Sequence, residues 1–263
     1  MTSKYTELML IEHGNVKRAD LSTVRSRVLG ALSDSEDAFL LASNKTKVSD
    51  EKVETTKNSD VRWSVKRNMP VIRLYGTAFE MTTELVDALN ECGHPVAARQ
   101  VNVFVKLGEE SAVEEHAYRI SSALLFRKKG DADAFWNMPL KEQMVELQTR
   151  VTKKVKESLM ESGVSERVVD AMAPLAIDFE DALNPANRFF KKHKSGNDYT
   201  FGRDGLKSIR FVTTDRISGM LAIGSLRHLG YGELQPYRPQ PPRQNKKFQN
   251  NKRGNFNKGG IKR

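Results

Sequence analysis

Apolar side chains along the chain recur mainly at helical spacing. Leu21, Val24, Val28 and Leu32 share one face of a helix that Asp20 can cap. Ser35 to Ala42 supports a second short helix carrying Phe39 and Leu40. Residues 44–60 break the pattern with four lysines, four acids and only Val48 and Val53, and read as a polar linker. Val71 to Tyr75 reads as a strand that Gly76 ends. Thr77 and Glu80 have capping-box spacing, and Met81, Leu85, Val86 and Leu89 continue as a helix that stops at Gly93. Val101 to Leu107 alternates as a half-buried strand does. Ser111 and Glu114 repeat the capping spacing and predict a helix to about Lys128.

Beyond Gly130 the pattern turns helical. Pro139 suits a first turn, and Leu140, Met144, Leu147, Val151, Val155 and Leu159 step by three or four toward Gly163. Ser165 to Ala173 and Ile177 to Leu183 are shorter helices stopped by Pro174 and Pro185. Ile209 to Thr213 predicts a strand. Thr214 or Asp215 would cap a last helix bearing Ile217, Met220, Leu221 and Leu229. Gly219 and Gly224 would each cost that helix ~1 kcal/mol relative to alanine, which suggests close packing there. The pattern as a whole predicts an α+β chain with a predominantly helical core and a small strand-helix-strand-helix portion. A helical arm (1–43), a linker (44–60), the mixed core (61–234) and a basic tail (235–263) follow in order.

Charge changes this picture at one end. The 263 residues carry 43 Lys+Arg against 33 Asp+Glu, a net of +10. Nine of those cations and none of the acids fall in 235–263, which leaves 34 against 33 in residues 1–234. The tail also holds four of the nine prolines and five asparagines. With so little apolar surface to offset the entropy of ordering, it is expected to be disordered. Arg238, Arg243, Lys246, Lys247, Lys252, Arg253, Lys258, Lys262 and Arg263 are interleaved there with Tyr237, Phe248 and Phe256. Cations neutralise phosphates, and rings stack on unpaired bases, so the segment suits single-stranded RNA. In the core, Arg188, Lys191, Lys192 and Lys194 surround Phe189 and Phe190 and predict a phosphate-binding rim, with a basic face of a short helix as the plainer alternative. Arg150, Lys153, Lys154 and Lys156 solvate the outer face of the long helix. Arg62, Lys66 and Arg67 beside Trp63 form a third basic group.

Other chemistry is sparse. No run of 18 apolar residues predicts a membrane span, and Lys4 and Glu7 interrupt a signal-like N-terminus. Cys92 is the single cysteine, which fits a reducing compartment, the cytoplasm or a virion. No phosphate loop, dinucleotide fingerprint or nucleophile elbow occurs, so no cofactor is expected. Asp178 and Asp181 share a helix face and could hold a metal, though a capped, solvated helix is the better explanation of them. His94 follows Cys92 by two residues, and His116 follows two glutamates on a helix face. The five histidines show no ligand spacing.

Val71 to Lys128 resembles the opening of an Alba-type nucleic-acid-binding domain, which also runs strand, helix, strand, helix. It departs at Gly76-Thr77-Ala78-Phe79, where that family carries a basic loop. Asp178 to Ala186 resembles a short segment of flexuous filamentous plant-virus coat proteins. Neither resemblance carries residue roles over. The sequence therefore predicts a non-enzymatic, single-stranded RNA-binding protein, with a viral nucleocapsid or coat protein self-associating on RNA as its sharper form. An adaptor that docks acidic partners on its tail, or a metal-dependent nucleic-acid enzyme using Asp178 and Asp181, are the alternatives.

Overall fold

The order of strands in the sheets sets the architecture. The structure, a computed structural model, describes residues 3–17, 20–43, 45–49, 52–55, 60–108, 114–126, 129–194 and 200–238. Its first half runs β1 (Ser3–Leu10), α1 (Leu21–Ala31), α2 (Glu36–Ser43), β2 (Lys45–Ser49), β3 (Lys52–Thr55), β4 (Val61–Lys66), β5 (Met69–Leu74), α3 (Gly76–Glu80), α4 (Thr82–Glu91) and β6 (Val96–Lys106). β2 and β3 form a separate hairpin in the stretch read as a linker. Without that hairpin the elements follow a β-α-β-β-α-β course. The sheet order β6-β1-β5-β4, all antiparallel, places the fourth strand beside the first and the third before the second. This is the ferredoxin-like arrangement.

The second half repeats the scheme with one element replaced. It runs β7 (His116–Ala123), α5 (Lys129–Trp136), α6 (Leu140–Glu161), α7 (Glu166–Asp170), β8 (Ala176–Ile177), α8 (Phe179–Ala182), β9 (Arg188–Lys194), β10 (Thr200–Thr213), β11 (Arg216–Ser218), β12 (Leu221–Ala222) and β13 (Glu233–Pro236). The pairings β13-β7-β10-β9 again give fourth, first, third, second. α6 fills the first helix position. Where a second helix would stand, an extended crossover carries β11 onto the edge of the first sheet beside β6, and β12 beside β13.

Each helix is held by the face it buries. Leu21, Val24, Val28, Leu85 and Leu89 pack on Leu8, Leu10, Trp63, Ile72 and Leu74 from one face of the first sheet. The other face gives Tyr5, Tyr75 and Val103 to a larger core, which they share with Leu147, Val151, Val155 and Leu159 of α6 and with Ile120, Ile209 and Phe211. No helix among the described residues is long and apolar enough to cross a membrane.

The expectation of a predominantly helical core is therefore corrected: two antiparallel sheets organise the chain. Each misread segment has its reason. β1 buries Thr6 and Glu7 as well as Tyr5, Leu8 and Leu10, so it shows no alternation. Within the helix expected from Ser111 to Lys128, whose capping Ser111 lies outside the described residues, His116–Ala123 is strand β7, in which Tyr118 and Ile120 point inward on either side of exposed Arg119. Thr77 does not cap a helix; its hydroxyl donates to Asp60 at 2.9 Å. The last helix is replaced by the crossover. Gly219 and Gly224 have φ of +94° and +83°, and a Cβ on Gly224 would lie 2.6 Å from the Leu124 carbonyl oxygen. No L side chain fits that backbone comfortably.

A buried polar network closes the space between the halves. Arg73 donates to Glu7 (3.1 Å) on its own sheet and to Glu233 (2.8 Å) on the other, and Ser64 also donates to Glu233. Lys66 and Arg99 bond the second Glu7 oxygen at 2.9 and 2.6 Å. Burial alone would raise the Glu7 carboxyl, but the Lys66 hydrogen bond and Arg73 outweigh it and hold the pKa at about 2. Arg62, also buried, lies over the Tyr75 ring at 4.3 Å and 3.7 Å from Glu161. The basic group around Trp63 is thus partly committed to this interface.

Candidate active site

Antiparallel pairing brings two loops together at one end of the first sheet. Leu10 of β1 is the register partner of Val96 of β6. The chain leaving β1 and the chain entering β6 therefore meet, and Ile11 N donates to the Pro95 carbonyl at 3.1 Å. His13 lies three residues beyond Leu10, and His94 two before Val96. Gly93, at φ +75°, ends α4 and turns the chain into this position, with His94 N bonded to Leu89 O at 2.8 Å.

The two imidazoles touch. His13 Nε2 and His94 Nδ1 are 3.2 Å apart, sharing one proton, and the ring centroids are 5.1 Å apart at a tilt of 42°. Both rings are half-buried. Burial lowers the pKa of His13, and the positive charges of His94 and of Arg27 on α1 lower it further, against a smaller opposing pull from Glu12. An imidazole held toward its neutral form and in contact with a second imidazole is an arrangement that acid–base chemistry can use.

The sequence-predicted basic residues fall into separate groups. Arg188, Lys191, Lys192 and Lys194 all lie on strand β9, not on a short helix, with Lys192 opposite Gly202 and Lys194 opposite Thr200. Arg188 bonds Asp204 at 2.8 Å and sits 5.2 Å from the Trp136 ring centroid. The Asp204 hydrogen bond raises its pKa. Lys191 lies 6.0 Å from the Tyr231 ring, which stacks on Phe189, while Phe190 is half exposed to solvent. The β9–β10 hairpin is thus a basic ribbon bearing an uncovered aromatic. Of the tail, Tyr237 and Arg238 are described, and Tyr237 carries the Arg210 guanidinium 5.2 Å from its ring. Arg243, Lys246, Lys247, Phe248, Lys252, Arg253, Phe256, Lys258, Lys262 and Arg263 lie outside the described residues.

The carboxylate pair has other duties. Asp178 caps α8 by accepting from Asp181 N at 3.1 Å, and Asp181 lies 3.5 Å from Arg210. Among the described residues, no group of three or more His, Cys, Asp or Glu gathers as metal ligands would. His116 stands on β7, far along the fold from His94. Sequence reasoning passed over His13 because 81 residues separate it from its partner. The available signal was positional: both histidines flank strands that pair once the ferredoxin-like order is recognised.

No family model and no curated protein matches this sequence. Solved structures do share its fold. A Cas6b crystal structure aligns at a TM-score of 0.55 and 11% identity, covering 90% of this chain and all of that one. A structure titled CRISPR RNA processing endoribonuclease Cas6b aligns at 0.54 and 11%, with the same coverage. The expectation of a non-enzyme is corrected here. It rested on finding no clustered catalytic side chains in the sequence, whereas the fold assembles a histidine pair and is shared with an endoribonuclease.

Proposed function

We propose that this chain is an RNA-processing endoribonuclease of the kind that trims CRISPR transcripts. The observation that carries the proposal is the contact between His13 and His94 in a fold shared with such an enzyme. Neutral His13 takes the proton of a ribose 2′-hydroxyl. The freed oxygen attacks the adjacent phosphorus, and the phosphorus–5′-oxygen bond breaks. His94 gives its proton to the departing oxygen. The products are a 2′,3′-cyclic phosphate and a 5′-hydroxyl end. The two ring nitrogens, 3.2 Å apart, part to admit the scissile phosphate between them, and the proton of their hydrogen bond stays on His94. Arg27 supplies positive charge near that position.

Binding is assigned to the basic elements. The β9–β10 ribbon, through Arg188, Lys191, Lys192 and Lys194, meets the phosphate backbone. Phe190 offers a face for an unpaired base, and the cationic tail captures flanking single strands.

The test is cleavage of a panel of CRISPR-repeat RNAs by the full chain and by His13→Ala and His94→Ala. General acid–base catalysis is worth roughly 10²- to 10⁴-fold, and each variant is expected to lose that much while still binding RNA. Undiminished cleavage by either variant would remove the histidines from the mechanism.

A further inference from the structure

A second site lies at the far end of the same strand. β6 spans 11 residues, so Lys106 stands about 33 Å from the histidine end. There the ends of β6, β7, β11 and β13 border an open cleft of about 640 Å³ that adjoins a smaller one of about 250 Å³. Glu114, His116 and Arg216 line both; Tyr237 and Arg238 line the larger, and Lys106 the smaller. The volume suits a small ligand. Catalysis as proposed uses none of these residues.

Their chemistry is mixed in an informative way. Lys106, Arg216 and Arg238 are phosphate partners. Glu114 and the neighbouring Glu115, which lines the larger cleft, repel phosphate but accept hydrogen bonds from exocyclic amino groups of bases. Tyr237 is held by its backbone N–H on the Ala117 carbonyl at 2.8 Å and by Arg210 against its ring. A fixed aromatic, carboxylate acceptors and cations together match the base, edge and phosphate of one nucleotide. In sequence Arg238 is followed by the acid-free residues 239–263, whose cations would add affinity for the rest of a single strand.

We propose that this cleft binds one unpaired nucleotide of the RNA at a distance from the cut, preferring an amino-bearing base over uracil. The proposal rests on the chain acting on RNA but not on the histidine mechanism. Its test is fluorescence anisotropy of the full chain with a short oligocytidylate and an oligouridylate of equal length, at raised salt to weaken the tail's contribution. The oligocytidylate is expected to bind about tenfold tighter, within the discrimination of a good base contact. Glu114→Ala/Glu115→Ala removes the preference. Tyr237→Ala weakens both ligands about tenfold through lost stacking, and Tyr237→Phe restores binding. His13→Ala leaves the preference unchanged, which separates this site from the catalytic reading. Equal binding of the two oligonucleotides, indifference to Tyr237→Ala, or displacement of RNA by an oligoglutamate peptide at equal concentration would each overturn it.

Discussion

His13 is tuned by what surrounds it, and single substitutions read that tuning. Burial, His94 and Arg27 all favour its neutral form, so its pKa lies below the ordinary value of 6.5. Cleavage is expected to fall on the acid side as His13 gains a proton, below that value. Arg27→Ala removes one of the charges holding His13 neutral and moves the acid limb to higher pH; an unmoved limb would show that Arg27 does not act on His13. Glu7 works in the same sense through stability. Its folded pKa of about 2 lies below the reference 4.5, so its contribution is complete above about 4.5 and is lost as pH falls toward 2. The shift corresponds to about 3 kcal/mol. Denaturant titrations of Glu7→Gln against pH should lose that part of the acid slope. At this scale the sequence displayed each residue but not its partner. Glu7 and Arg73 are charged residues of the kind surfaces carry, yet both are buried against each other between the sheets.

The elements that could be read were those that bury one stripe. α1 and α6 show clean helical spacing because one face of each is in the core and the other in water. Val101 to Leu107 was legible as a strand for the matching reason. β1 and β7 were not, because residues on both faces are buried and the inward and outward sets no longer differ in polarity. The crossover 215–232 misled most: its apolar residues happen to step as a helix does, while its glycines turn it into extended pieces. Gly224→Ala tests this reading. A side chain at φ +83° and 2.6 Å from the Leu124 oxygen should cost about 1–3 kcal/mol, seen as a lowered midpoint in thermal melts; an unchanged midpoint would mean that the crossover is not so tightly seated. The basic β9 was recognised by composition but placed on the wrong element, since Arg188 to Lys194 alternates too little to distinguish ribbon from helix.

At the scale of the molecule, two ferredoxin-like halves divide the work. One presents the histidines, the other the basic ribbon and the root of the tail, and the Arg73–Glu7–Glu233 network joins them. Arg73→Met removes the buried cation that Glu7 and Glu233 share, leaving Glu7 to Lys66 and Arg99, and is expected to cost about 3–5 kcal/mol, measured by equilibrium unfolding. The nucleic-acid reading rests on the tail's unbalanced charge, which is visible in the sequence; the candidate active site rests on pairing between distant strands, which is not. Removing 239–263, eight cations with no acid, should flatten the salt dependence of RNA binding by up to about 6 in slope, at roughly 0.7 per cation engaged, with the cleavage position unchanged. The most direct test of the whole account is the chemistry of the cut ends. Mass spectrometry of a CRISPR-repeat RNA cleaved by the full chain should show a 2′,3′-cyclic phosphate and a 5′-hydroxyl, with no cut where the attacking 2′-hydroxyl is replaced by hydrogen. Ends bearing a 3′-hydroxyl and a 5′-phosphate, or a cut that survives the deoxy substitution, would contradict it.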